Sequence, residues 1–128
     1  FVVHAGHTGD FFPHHMDAEF MKSTEFGQRI AHGTMVFSIG VGLTATVVNP
    51  VAFSYGYDRL RFIRPVFIGD ILCCYTTIER VGRTSMTIRI EAWAQRRDHS
   101  PRVLVTEGTY TFVAIDETRR PRPVDPEG

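Results

Sequence analysis

The sequence predicts an α+β fold in which an antiparallel sheet wraps around one buried helix. Three observations carry that expectation. The stretch 33–48 is apolar on every side, four later segments read as strands, and one of them, 84–95, alternates cleanly between apolar and polar side chains. A helix without a polar face belongs in an interior. Alternation of period two marks a sheet with one covered face. Laying the one against the other buries both.

Taken in order, FVVHAGHTG at the start reads as the end of a short helix stopped by glycine. Asp17 then caps a brief helix through Phe20 and Met21. The central helix runs from Gly33 to Val48 and is ended by Asn49 and Pro50. Gly40 and Gly42 each cost it about 1 kcal/mol of propensity, for which the close approach of another backbone is the expected compensation. The first strand, 54–64, places Leu60 and Phe62 on one face and Arg59 and Arg61 on the other. The turn PVFIGD (65–70) leads into a strand over 71–80, and Gly82 breaks the chain. In 84–95, Met86, Ile88, Ile90, Ala92 and Ala94 face inward, and Thr87, Arg89 and Glu91 outward. A turn over 98–101 precedes the last strand, 102–114. One domain thus spans 1–115. The remainder, DETRRPRPVDPEG (116–128), offers little apolar surface against its ordering entropy and is expected to be a flexible tail.

Composition narrows the function. The 128 residues suffice for one domain, and a 43% hydrophobic content supports a core without metal or disulfide staples. Fourteen basic and fourteen acidic residues balance, so the basic excess of a nucleic-acid binder is missing. The longest apolar run is broken by Ser38, Gly40, Gly42, Thr44 and Thr46, well short of the ~20 residues of a membrane span. Cys73 and Cys74, adjacent on a strand, point to opposite faces and make poor disulfide partners. They fit a cytoplasmic location. The chain opens on Phe1 rather than methionine, which raises the expectation of residues upstream.

The densest polar cluster is TGDFFPHHMDAEF (8–20), with Asp10, His14, His15 and Asp17 around Pro13. A carboxylate and an imidazole held together move protons near neutral pH, but the same spacing also serves a helix cap and a surface ring. His14, beside His15, is expected to face solvent. His4, His7 and Asp10 share a three-residue spacing that mimics metal ligands without supplying a firm third one. GVGLTA (40–45) imitates a dinucleotide fingerprint, but no βαβ unit follows it.

Gly9, Asp10, Pro13, His15, Asp17, Phe20, Thr24, Phe26, Ile30, His32 and Gly33 fall in one register that resembles the signature of MaoC-like dehydratases and (R)-specific enoyl-CoA hydratases. LRFIRPVFIGD (60–70) is similar to that family's strand and turn after the helix, and the resemblance covers residues 5–115. Phe12 stands where the family usually has asparagine, and Val41 where many members carry serine, with Ser38 about a turn earlier. The family's usual strand before the first helix is not evident.

The resemblance implies a hot-dog fold and the addition of water to an enoyl-CoA. Asp10 and His15 would hold the water and take its proton as it attacks the β-carbon. The backbone N–H of Gly33, at the positive end of the buried helix, would receive the thioester oxygen; such a donor is worth about 3–4 kcal/mol of barrier. Arg59, Arg61 and Arg64 would either meet CoA phosphates or simply line a solvated sheet face. His32 is expected to pack structurally or to fix the start of the helix. No cofactor, metal, nucleic acid or membrane is called for, and the sheet's exposed edge favours a homodimer. Two alternatives stand beside this reading. A hot-dog thioesterase often has a carboxylate on its central helix, whereas 33–48 holds neither Asp nor Glu. A non-catalytic acyl-CoA-binding subunit stays open because of Phe12.

Overall fold

A computed structural model describes residues 1–45 and 52–124. Four helices precede four strands: α1 (Val2–Thr8), α2 (Pro13–Met16), α3 (Ala18–Lys22), α4 (Gly33–Ala45), β1 (Ala52–Phe62), β2 (Ile71–Val81), β3 (Ser85–Gln95) and β4 (Val103–Ala114). The strands form one sheet in the order β1-β4-β3-β2, antiparallel throughout.

Local chemistry explains the helix ends. Gly9 takes the left-handed conformation (φ 76°) and donates its N–H to the Ala5 carbonyl, closing α1. Pro13 opens α2, where its missing N–H costs nothing. Asp17 accepts the Phe20 N–H at 2.9 Å and so caps α3, as expected.

The alternation read in β3 is borne out. Ile90, Ala92 and Ala94 are buried, while Arg89, on the other face, pairs with Glu91 and Glu107 at 2.8 Å each. Ala92 and Ala94 are small, and they share a core cluster with Val36 of α4, Ala31, Val66 and Val105. Toward the other end of the sheet, Phe37 of α4 packs on Tyr57 and Tyr110 with ring centroids 5.0 and 5.4 Å away. Burial pushes the Tyr110 phenol above its ordinary pKa. Two register shifts interrupt β1, between Ser54 and Gly56 and between Asp58 and Arg61, with Arg59 at φ 53°. These bulges are invisible to a period-two reading, and the observed strand, Ala52–Phe62, is displaced from the expected 54–64.

The turn after β1 is built from polar contacts. Asp70, only 4% exposed, accepts the Phe67 N–H and ion-pairs with Arg96. Arg96 also donates to the Pro65 carbonyl at 3.0 Å and lies over the Phe67 ring at 4.7 Å.

The expected α+β class, an antiparallel sheet against one central helix, is borne out, and two details differ. The sheet does not enclose α4: Val36 is 2% exposed, but Ile39 is 41% and Leu43 51% exposed. Four strands cover only one side of a helix, and the apolar outer side stays open within a single chain. The expected end of α4, residues 46–48, lies outside the described residues. Nor is the segment after β4 free through Val124. Asp116 accepts N–H bonds from Thr118 and Arg120, Arg122 donates its N–H to Ala114, and Val124 donates to Arg83. Its polar side chains satisfy backbone groups, a route to order that composition does not reveal. Among the described residues, no helix is long and apolar enough to cross a membrane.

Candidate active site

The cluster singled out in the sequence assembles at the N-terminal end of α4. Residues 10–16 turn back under this end, and the chain crosses the site again at 30–32, where the Ile30 N–H donates to the His14 carbonyl at 3.0 Å. His15 Nδ1 meets the Ile30 carbonyl at 2.9 Å. A carbonyl only accepts, so Nδ1 carries the proton and Nε2 is left as a base. That Nε2 faces Asp10 Oδ2 across 3.9 Å, with the His15 side chain 15% exposed and that of Asp10 49%. A single water spans such a gap with hydrogen bonds of about 2.8 Å to each partner. The other oxygen of Asp10 accepts the Phe12 N–H at 3.3 Å.

His32 closes the site from below. Its side chain is 1% exposed. Its Nε2 donates to the Asp10 carbonyl at 2.9 Å, and its ring stacks on that of His15 with centroids 3.9 Å apart. Its own carbonyl accepts from Met35 and Val36, so it is the residue from which α4 starts. Asp10, His15 and His32 bring ligand atoms within 4.8 Å of one another.

The third expected site residue, Gly33, is the first residue of α4. Its N–H meets no acceptor among the described residues. A Cβ there would lie 2.7 Å from Phe62 Cγ, so the ring at the end of β1 would have to shift to admit any other residue. The remaining residues fall as follows. His14 is not the solvent-facing ring expected; it lies flat on Phe12 at 4.8 Å and edge-on to Phe20 at 5.5 Å. Two apolar rings nearby are what the sequence could have signalled. His4 does not join His7 in a ligand set, since its Nε2 meets Thr34 Oγ1 at 3.0 Å. Burial, then the neighbouring His32, holds His4 below the usual imidazole range. Ser38 donates its hydroxyl to the Thr34 carbonyl within the helix. Arg61 and Arg64 donate to the carbonyls of Leu60 and Leu104.

Beyond the pair, α4 and the 66–70 turn border an apolar cleft of about 450 Å³, lined by Met35, Ile39, Phe67 and Leu72 among others. Neither Asp10 nor His15 lines it, but Ala31, between Ile30 and His32, does.

A helix laid on an antiparallel sheet of this order is the hot-dog fold. The hexameric hot-dog thioesterase of Campylobacter jejuni superposes with a TM-score of 0.65 at 28% identity, over 77% of this chain and 79% of that one. The R-hydratase PhaJ1 of Pseudomonas aeruginosa does so with a TM-score of 0.75 at 28% identity, over 91% of this chain and 72% of that one. The chain belongs to the MaoC-like family, the MaoC like domain matching residues 1–98. Among curated proteins, an acyl-CoA thioester hydrolase of Haemophilus influenzae, itself uncharacterized, is 32% identical over 69% of this chain. The chain spans between 46% and 59% of the length of the first three curated relatives it matches.

Proposed function

We propose that the chain is an enoyl-CoA hydratase or, in reverse, a 3-hydroxyacyl-CoA dehydratase, with Asp10 and His15 as the pair that activates water. The observation that carries this is the free Nε2 of His15 facing Asp10 Oδ2 across the width of one water. In the proposed step the water oxygen bonds to the β-carbon while His15 Nε2 takes one water proton. Asp10 accepts the hydrogen bond of the other and steadies the imidazolium. The π pair moves toward the thioester oxygen, which the Gly33 N–H receives. The proton on His15 then passes to the α-carbon on the same face. The net change is addition of H and OH. The acyl chain follows the apolar side of α4, toward the cleft at Met35 and Leu72.

The extent of the likeness to PhaJ1 supports this reading, as does the lack of any Asp or Glu in α4. Thioester hydrolysis is the second reading, favoured by the named activity of the curated relatives. There the same water would attack the thioester carbonyl. Crotonyl-CoA separates the two: loss of enoyl-thioester absorbance without thiol release is hydration, and release of free thiol is hydrolysis. Asp10→Asn and His15→Gln are each expected to lower hydration by at least about 100-fold. Activity within a few-fold of the parent in either variant overturns the assignment.

We also propose a homodimer as the working unit, because Ile39 on α4 and Ile71, Ile78 and Val81 on the edge strand β2 are exposed. Ile39→Asp should shift the mass measured by light scattering toward the monomer. A parent protein that is monomeric at micromolar concentration defeats the proposal.

A further inference from the structure

His32 belongs to neither partner of the pair, yet it touches both. Its Nε2 can bond the Asp10 carbonyl only as a donor, so the neutral ring carries its proton there and Nδ1 is a lone pair. That Nδ1 is buried and has no hydrogen-bond partner among the described residues. A buried polar atom without a partner weakens a fold, and where one persists it asks for a reason. Packing alone supplies none, since a phenyl ring would fill the same volume without an orphaned nitrogen.

The reason lies in what the ring holds. We propose that His32 is a positioning residue for the reacting pair: its Nε2–H pins the main chain of Asp10 while its face fixes the plane of the His15 imidazole. The proposal rests on the assignment of Asp10 and His15 as that pair. The two contacts use different parts of one ring. The edge reaches Asp10, twenty-two residues back in the chain, at 2.9 Å. The face lies against His15, within 26° of parallel. His15 therefore has two fixed coordinates: the Nδ1 bond to Ile30 directs its Nε2, and the stack sets its tilt. The half-exposed Asp10 side chain is held only by the 3.3 Å bond from the Phe12 N–H within its own turn, so its placement depends on its backbone. The His4 ring at 4.8 Å and the Phe1 ring at 6.3 Å, nearly perpendicular to it, also pack on His32. The helix start completes the link, because the residue that orients the pair also precedes the Gly33 N–H.

Two substitutions divide the contacts. His32→Phe keeps a ring against His15 and loses the bond to Asp10. His32→Gln keeps an N–H donor and loses the ring. The expected result is a fall in kcat of about tenfold or more in His32→Phe with KM within about threefold, since a small misplacement of reacting groups costs rate rather than binding. His32→Gln should regain part of that loss. A kcat for folded His32→Phe within about threefold of the parent overturns the proposal, as does a loss that merely follows the folded fraction in both variants. Nitrogen-15 NMR of the imidazoles in the parent protein supplies a test independent of turnover and of variant folding. His32 should show a proton on Nε2 and none on Nδ1 at neutral pH, and the reverse tautomer overturns the assignment. If the parent neither hydrates nor hydrolyses enoyl-CoA, the reading of the pair fails. The tautomer, with any shift of the His15 resonances in His32→Phe, then decides whether His32 orders the cluster.

Discussion

The sheet and the segment that precedes α4 are stabilised in different ways. In the sheet, β3 and β4 pair over their whole lengths, the inner face is closed by Ala92, Ala94 and Val105, and charges on the outer face are matched across strands. Residues 1–32 form three short helices and connecting turns, and their buried residues are few: Ala5, Met21, Ala31 and His32. That segment is joined to the sheet at 30–32, through the bridge between Ile30 and Phe67 and the bond from the Ala31 N–H to the Val66 carbonyl. The proposed chemistry is on the side with less burial, and its geometry is borrowed from the side with more. A cooperative sheet fixes the junction, and hydrogen bonds from the junction fix Asp10 and His15.

The comparison predicts that activity and stability can be removed separately. Asp10→Asn and His15→Gln, whose effect on turnover is the largest expected, change groups on the loosely packed side. Their melting temperatures should stay within a few degrees of the parent, a shift of about 1 kcal/mol or less. A melting loss much beyond that would mean that the pair supports the fold as well as the reaction.

Arg96→Leu should do the opposite. It strips the partner from Asp70, which is 4% exposed, and it removes the donor to the Pro65 carbonyl. Leaving a buried carboxylate unpaired costs about 3–5 kcal/mol, measurable by urea titration. Because the 65–70 turn is the sheet's side of the junction, kcat per folded molecule should fall as well. Unchanged turnover in the folded fraction would show that the junction does not transmit order to the site. The double variant Arg96→Leu, Asp70→Leu should recover much of the stability, since neither charge is then stranded.

The same contrast governs what could be read in the sequence. The sheet was legible, because burial of one face writes itself into alternate positions such as Ile90, Ala92 and Ala94. The caps at Gly9 and Asp17 were legible for the same local reason. The enclosure of α4 was not, since an apolar helix is equally satisfied by its own sheet or by another surface. Within the site, Asp10 and His15 could be named as candidates from one short motif, but nothing local tells that His15 bonds Ile30 or that His32 reaches Asp10. Those contacts join positions fifteen and twenty-two residues apart. They exist only once the chain has turned back on itself.

Gly33 is where the two regions meet, and it has two competing reasons to be glycine. The sequence suggests that its bare backbone lets a thioester carbonyl approach. The structure adds that the Phe62 ring of β1 fills the place of its Cβ. Gly33→Ala is expected to cost about 1–3 kcal/mol by overpacking, less than Arg96→Leu, since Phe62 is 52% exposed and its ring has room to swing away. Pairing it with Phe62→Leu separates the two reasons. If stability and turnover both return in the double variant, the glycine is there for Phe62, and the helix start tolerates a methyl group beside the substrate. If stability returns while hydration stays low, the space at Gly33 belongs to the reaction. The second outcome is expected, because the N–H of residue 33 meets no acceptor among the described residues.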